Sequence, residues 1–292
     1  MSSENEHINK GHRLDEALES HMKTAKPKFA KTKNQVWQEL EAKMSEVSEE
    51  KETKIIQLNW LRYAVAASVV ALVCSTLFAR FYTVEVLTNN GQHLSQLLPD
   101  GSEVLLNAGS SLSFHPYWWS VNRELKFEGE GFFLVEEGSN FAVLSANGTT
   151  EVLGTSFNIN SRMDGYEVLC VTGQVRVSNK YSKVLLKPNG LASSNANNNL
   201  DKTIISNKND VVGWMENKFV FTATPMKRVL REVELQYDVQ ISLSENSLGE
   251  LTYSGYFTKS VKVDSVLDII CQGMELSFVK TGGNTYLVSQ AK

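Results

Sequence analysis

One uncharged apolar run constrains this chain more than any other feature. Residues 63–79 carry no charged side chain and lie between Arg62 and Arg80. As a helix the run would be about 25 Å long, which is the lower limit for crossing a hydrocarbon core. Aromatic residues, which favour membrane interfaces, flank the run: Trp60, Tyr63, Phe81 and Tyr82. Residues 60–82 are therefore predicted to form a single transmembrane helix, and the alternative is a buried helix of a soluble protein.

Cations near the run predict its orientation. Lys51, Lys54 and Arg62 lie close to its N-terminal end, whereas only Arg80 lies close to its C-terminal end. Cationic residues next to a span stay predominantly on the cytoplasmic side. The N-terminus is therefore expected in the cytoplasm and the C-terminus outside it. About sixty polar residues before the run are not typical of a cleavable signal peptide.

The rest of the chain shows no pattern of catalysis or nucleic-acid binding. The net charge is −4, without a basic patch that would indicate nucleic acid. The five histidines are not paired at metal-binding spacing, and no nucleophile or phosphate-binding motif is present. No metal, cofactor or enzymatic turnover is therefore expected. Cys170 and Cys271 are predicted to be separate buried thiols, and the alternative is a disulfide outside the cytoplasm.

The segment before the run reads as two short amphipathic helices. Leu14 and Leu18 belong to one apolar stripe, and Trp37, Leu40 and Met44 to a second. Stripes this narrow cannot build a core on their own, so they are typical of segments that bind a partner. The alternative is a partly disordered tail with weak helicity.

Short strands are predicted from Glu85 to about Leu191. Apolar segments recur about every ten residues with turn residues between them, which indicates an all-β sandwich, barrel or solenoid. Gly129-Glu130-Gly131 is expected to mark a bend in a strand. The Asn-rich and Ser-rich stretch 189–201 is predicted to be a linker or long loop. The strand segments include residues 103–106, 112–114, 125–127, 132–135, 141–144, 157–159, 168–171, 175–177 and 184–186.

The last eighty residues have a different pattern, in which a strand, a helix and a strand occur twice. Strands are predicted at 219–221, 239–243, 251–257, 276–279 and 285–288. The first helix carries apolar residues from Met226 to Tyr237 at helical spacing, with Thr224 as its N-cap. A small α+β domain follows from this alternation.

One dipeptide has the residue types for a self-cleavage reaction. In Gly154-Thr155 the threonine hydroxyl could attack the preceding carbonyl, which converts the peptide to an ester that water can hydrolyse. The alternative is that Gly154-Thr155 is only a bulge in a strand.

Several motifs in order resemble the FecR family. Leu98-Pro99-Asp100-Gly101-Ser102 opens the pattern, residues 152–159 continue it, and Leu186, Pro188 and Gly190 close it. The C-terminal unit is similar to the companion domain of FecR proteins in Bacteroidetes, which is related to the short N-terminal domain of secretins and TonB-dependent receptors. The companion pattern includes Trp214, Phe219, Phe221, Tyr253 and Phe257.

The resemblance implies an anti-sigma factor in the inner membrane. Its cytoplasmic segment would hold an extracytoplasmic-function sigma factor through Leu14, Leu18, Trp37, Leu40 and Met44. Its periplasmic part would meet the signalling domain of an outer-membrane TonB-dependent transducer that senses iron carriers or nutrients. The neighbourhood of Phe219, Phe221, Tyr253 and Phe257 is the expected contact. Some family members are thought to cleave themselves at the pair that corresponds to Gly154-Thr155.

The prediction is therefore a multidomain, single-pass signal transducer. Residues 1–59 form a short α-helical cytoplasmic segment, 60–82 the transmembrane helix, 83–200 an all-β FecR-like domain and 212–290 a small α+β domain. The alternatives are a cell-envelope binding or scaffold protein with one anchor, and a membrane-tethered hydrolase.

Overall fold

A computed structural model describes residues 18–23, 30–47, 60–162 and 165–291. The chain divides into two compact units, residues 1–65 and 66–292. In the first unit, residues 18–23 are helical and helix α1 spans Lys33–Val47. At the start of α1, Gln35 Oε1 accepts the Thr32 backbone N–H at 3.0 Å, which is one of the two hydrogen bonds of a capping box. Leu14, Lys51 and Lys54 lie outside the described residues.

Helix α2, Trp60–Phe81, is the predicted transmembrane segment. It has 22 residues, a mean hydropathy of 1.9 over its most apolar window, and no buried side chain. A soluble core helix of this length would bury one face against the protein, and α2 buries none. Its length and composition therefore fit one crossing of a membrane.

Thirteen strands follow α2 and form a mostly-β domain, which we call the β-domain (residues 84–204). The strands are β1 Val84–Leu87, β2 Leu94–Leu97, β3 Glu103–Leu106, β4 Ser111–Phe114, β5 Arg123–Leu134, β6 Phe141–Ser145, β7 Gly148–Val152, β8 Ser156–Arg162, β9 Gly165–Cys170, β10 Val175–Ser178, β11 Lys183–Leu186, β12 Gly190–Ser194 and β13 Leu200–Ile204.

Two sheets share the long strand β5. The first has the order β1-β4-β5-β6-β7-β10-β11, and the second the order β2-β3-β5-β8-β9-β12-β13. Within these two sheets, as far as their residues are described, β5 and β6 are the only parallel pair. Both sheets contribute to one apolar core, which includes Phe127, Phe133, Phe141 and Phe157. Of the three predicted β architectures, the sandwich is the one observed.

Gly129 is the point at which β5 passes from one sheet to the other. Residues 123–126 of β5 pair with β6, and residues 129–134 pair with β8. Gly129 has φ +103, and a Cβ there would lie 2.4 Å from Ser110 Oγ. Glycine is needed for both the backbone angle and the close approach. The predicted bend is confirmed, although the two predicted strands on either side of it are one continuous strand.

The prediction of a linker over residues 189–201 is wrong. Strands β12 and β13 form a hairpin there, and only the turn between them is irregular. Asn195 Oδ1 accepts the backbone N–H groups of Asn197 and Asn199, and Asn198 adopts φ +59. Asparagine therefore builds this turn, while Ala192 and Leu200 point into the sandwich core. Strands β1 and β2 were not predicted either.

Helices and strands alternate after the β-domain, in a part that we call the C-terminal region (residues 209–290). Its strands form a two-stranded sheet, β14-β16, and a three-stranded sheet, β15-β18-β17. Two 3-10 helices, Gly213–Glu216 and Asn246–Glu250, complete it. The other elements are helices α3 Asn209–Val212, α4 Met226–Tyr237 and α5 Val263–Gln272, and strands β14 Lys218–Pro225, β15 Gln240–Leu243, β16 Thr252–Thr258, β17 Leu276–Gly282 and β18 Thr285–Gln290.

The predicted strand–helix–strand repeat is confirmed, with one correction at the start of α4. Met226, Val229, Leu230 and Val233 are buried as their spacing predicts. Thr224 is not the N-cap, because β14 continues through Pro225, which occupies the N-cap position with extended backbone angles.

Cys170 and Cys271 are free thiols in different cores. Cys170 lies in the sandwich core, and Cys271 lies on α5 in the core of the C-terminal region. Burial raises the pKa of each thiol to about 11, so both are poor nucleophiles.

Candidate functional site

Helix α1 presents an exposed apolar face. Trp37 is 57% exposed, and Leu40 and Met44 are exposed on the same face. Val36 extends this face by one residue that the sequence prediction did not include. Leu18 is exposed in the helical stretch before α1. The predicted contact residues are therefore available to a partner in the part of this segment that is described.

Gly154 and Thr155 connect β7 to β8 at an edge of the sandwich. The backbone oxygens on either side are held, because Leu153 O accepts Gly138 N–H at 2.8 Å and Thr155 O accepts Val135 N–H at 3.0 Å. The Thr155 side chain is only 5% exposed, and its hydroxyl has no hydrogen-bond partner. A buried hydroxyl without a partner is uncommon and calls for an explanation.

Two glycines allow close packing around the Gly154-Thr155 peptide. A Cβ at Gly173 would lie 2.5 Å from Thr155 Cγ2 and 3.1 Å from Gly154 O. A Cβ at Gly154 would lie 2.8 Å from Glu137 Cα. Glycine at position 173 therefore leaves room for the Thr155 methyl group and the Gly154 carbonyl, and glycine at position 154 leaves room for Glu137.

The aromatic residues proposed as the transducer contact form part of a core. Phe219, Tyr253 and Phe257 are buried, and Phe221 packs against them. The Phe219 and Phe257 rings stack with centroids 4.9 Å apart. Other side chains of the same two strands are exposed at the surface. Tyr256 on β16, for example, is 69% exposed.

A buried polar network joins the β-domain to α4 of the C-terminal region, and we call it the interface network. Glu130 lies at its centre, where one carboxylate oxygen accepts Asn107 Nδ2 at 2.8 Å and the other accepts Asn158 Nδ2 at 3.1 Å. Arg162 lies 3.9 Å from Glu130 and donates to Glu232 of α4 at 2.8 Å.

Gln236 of α4 closes the network and is fully buried. Its Nε2 donates to Asn107 Oδ1 at 2.8 Å and to Glu232 Oε1 at 2.9 Å. His93 Nε2 lies 3.0 Å from Gln236 Oε1. Trp214 adds a fourth cross-connection by donating its Nε1–H to Asn158 Oδ1 at 3.1 Å.

Burial controls the ionisation of two groups in the interface network. It raises the pKa of Glu130 from 4.5 to about 7, with the neighbouring Glu232 acting in the same direction and Arg162 opposing it. Burial also lowers the pKa of His93. The carboxyl group of Glu130 therefore keeps its proton to a higher pH than an exposed glutamate does.

Apolar contacts surround the interface network. Phe132 and Leu169, on the outer face of the second sheet, belong to the same core cluster as Trp214 and Val229. Arg228 pairs with Glu167 at 2.8 Å, and Lys259 donates to Gly91 O at 2.6 Å. The C-terminal region therefore docks on the β-domain through both apolar and charged groups.

Sequence reasoning missed the interface network. Its residues are single Asn, Gln, Glu and Arg side chains on different elements, without a common spacing. The available signal was Gln236, a polar residue on the apolar face of α4, and Glu130, which follows the bend glycine. In the described residues, no group of His, Cys, Asp or Glu has a metal-binding arrangement.

Comparison with known proteins agrees with this architecture. The model of the FecR protein family matches residues 84–176, and the model described as FecR, C-terminal, matches residues 218–288. The chain belongs to the FecR family of anti-sigma factors. The two matches together cover more than half of the chain, and the first lies within the β-domain and the second within the C-terminal region.

Two solved structures are similar to this FecR-family chain. Both are crystal structures described as a "putative anti-sigma factor" from Parabacteroides distasonis ATCC 8503. The first is 26% identical with a TM-score of 0.67, and the second 27% identical with a TM-score of 0.66. Each covers 72% of this chain and 100% of its own. No curated protein matches the chain.

The raised pKa of Glu130 predicts a pH dependence of stability. The folded state binds the proton more tightly than the unfolded chain, whose pKa is near 4.5. The stability that Glu130 contributes is therefore complete below pH 4.5 and is lost as the pH rises through about 7. Glu130→Gln, which stays neutral, should flatten the fall of the thermal midpoint over this range.

The control is Glu128→Gln, which changes an exposed carboxylate two residues earlier on the same strand. Thermal unfolding of the solubilised protein at several pH values measures both variants. Parallel profiles for wild type and Glu130→Gln would contradict the prediction.

Proposed function

We propose that this chain passes a signal across the inner membrane, from an outer-membrane TonB-dependent transducer to a cytoplasmic extracytoplasmic-function sigma factor. The supporting observation is the order along the chain, in which an exposed apolar helical face precedes one candidate span and the two FecR segments. In this proposal residues 1–59 bind the sigma factor, residues 60–82 span, and residues 83–200 and 212–290 are periplasmic. The cations flanking α2 favour this orientation.

The apolar face of α1 is the proposed contact with the sigma factor. Large exposed side chains in a narrow stripe cost stability in water unless a partner covers them, and tryptophan is frequent among the residues that dominate interfaces. Val36, Trp37, Leu40 and Met44 supply such a stripe within fifteen helical residues.

Trp37→Ala should weaken sigma-factor capture about tenfold or more, because a buried aromatic anchor contributes about 2 kcal/mol or more at an interface. The measurement is affinity of the purified sigma factor for the solubilised full chain. Gln38→Ala, on the opposite face of α1, should bind like wild type. Equal affinities for both variants would contradict a contact through α1 and would indicate the stripe of Leu14 and Leu18 instead.

The sheet β14-β16 is the proposed contact with the transducer. Among the described strands, neither β14 nor β16 pairs with any other strand. Each therefore has an edge to which a partner strand could add. Because Phe219, Tyr253 and Phe257 are in the core, the contact would use backbone groups and outward side chains, such as Tyr256 opposite Val220.

Tyr256→Ala should weaken binding of the transducer's signalling domain about tenfold, since it removes the largest exposed side chain beside the free edge. Binding of the isolated signalling domain to the full chain measures the effect. Ile269→Ala removes a comparably exposed apolar group from α5 and should have no effect. A loss with Ile269→Ala instead would place the contact on the helical side.

Self-cleavage at Gly154-Thr155 is proposed as a maturation step. Thr155 Oγ attacks the Gly154 carbonyl carbon, the C–N bond breaks, and the hydroxyl proton passes to the released amine. Water then hydrolyses the ester, which leaves a Gly154 carboxylate and a Thr155 N-terminus. The supporting observation is the buried Thr155 hydroxyl without a partner.

The two fragments would remain together after such a cut. Strand β8 pairs with β5, and β10 pairs with β7, so each of the two sheets contains strands from both fragments. Their side chains also share one core.

Thr155→Val should abolish cleavage, because it keeps the shape of the side chain and removes the nucleophile. Thr155→Ser keeps a hydroxyl and should still cleave. A denaturing gel of purified protein separates the outcomes. Fragments from Thr155→Val would indicate an external protease, and an uncut wild type would make the pair a structural element only.

A further inference from the structure

The connection between α2 and the β-domain is very short. Helix α2 ends at Phe81 and β1 begins at Val84, so only Tyr82 and Thr83 lie between them. Three residue steps span no more than about 11 Å even when fully extended. If α2 crosses the membrane, the first strand of the β-domain must therefore begin next to the headgroups.

The loop between β4 and β5 is held beside this connection, and we call residues 115–122 the aromatic loop. Antiparallel pairing places Phe114, the last residue of β4, opposite Val84. His115 Nδ1 lies 3.0 Å from the Tyr82 backbone oxygen and 3.1 Å from Thr83 Oγ1. The aromatic loop thus begins at the depth at which α2 ends.

Side chains of the aromatic loop continue the aromatic end of α2. The Tyr117 ring centroid lies 5.4 Å from that of Tyr82 and 5.9 Å from that of Phe78. The Arg80 guanidinium lies 5.8 Å from the Trp118 ring centroid. Rings with a polar tip and a cation are the groups that membrane interfaces favour.

The aromatic loop exposes apolar surface and carries no Lys, Arg, Asp or Glu. Tyr117 is 61% exposed and Val121 is 68% exposed. Its neighbour Trp119 points the other way, into the sandwich core, where it packs edge-on against Phe114 and Phe141. The buried ring fixes the loop, so the exposure of Tyr117 and Val121 is a property of a rigid surface.

We propose that the aromatic loop lies in the lipid headgroup interface at the C-terminal end of α2 and seats the β-domain on the membrane. The inference rests on the proposed function, since it requires α2 to span. Lipid is the occupant because the surface is continuous with the end of the candidate span. The seat adds a second attachment to the bilayer, which limits tilting of the β-domain about its short connection.

Spin labels on the full chain in phosphatidylethanolamine–phosphatidylglycerol vesicles test the proposal. Cys74 lies within α2 and is exposed, whereas Cys170 and Cys271 are buried, so the wild-type chain takes a label at Cys74. On a Cys74→Ser background, Val121→Cys and Tyr181→Cys provide the other two positions. Tyr181 is 58% exposed and lies in the turn between β10 and β11, at the opposite edge of the first sheet.

The label at Cys74 should be relaxed by oxygen and shielded from an aqueous nickel chelate. The label at position 121 should lose most of its relaxation by the nickel chelate, and the label at 181 should keep it. A label at Cys74 that the chelate reaches freely would refute the span. With Cys74 in lipid, a label at 121 as accessible as the one at 181 would overturn the seat alone. Equal shielding at 181 would also overturn it, since it would indicate nonspecific adsorption.

Discussion

The second unit depends on the bend of β5 at Gly129. A residue with a side chain would be strained at φ +103 and would collide with Ser110, so the strand could not leave one sheet and enter the other. The next residue, Glu130, is thereby placed on the outer side of the second sheet, under α4. At the start of the same strand, Arg123 is buried against Asp100 and donates to Ser139 O at 2.8 Å. One strand therefore organises the sandwich core, its edge loops and its contact with the C-terminal region.

The interface network suits a contact that transmits a change between the two parts of the unit. Its hydrogen bonds are directional, so a shift of α4 would separate the buried Gln236 from Asn107 and His93, and Glu232 from Arg162. An apolar contact alone would tolerate such a slide at lower cost. A partner that pulls on the β14-β16 sheet would act on α4, because α4 follows β14 directly and packs on that sheet. The proposed signal thus has a physical route to the β-domain.

Apolar periodicity predicted most of the elements, because apolar residues recur at a regular spacing in α2, in the alternating strands and on the buried face of α4. It failed where polar residues have structural roles. Asn195 and Asn198 build a tight turn that looks like a linker, and Thr224 looks like a cap although β14 continues past it. The interface network was beyond prediction, since Glu130, Arg162 and Gln236 become neighbours only after the C-terminal region docks. Gly154-Thr155 was visible as a motif, but the burial of its hydroxyl required the fold.

Cleavage between β7 and β8 would change how force passes through the sandwich. The fragment that carries α2 would keep β1 to β7, and the other fragment would keep β8 to β13 with the C-terminal region. A pull on the C-terminal region would then load only noncovalent pairs, above all β5 with β8 and β7 with β10. In an uncut chain the same pull would also load the covalent connection through residues 153–155. The cut would therefore lower the force needed to separate the transducer-facing part from the part attached to the membrane.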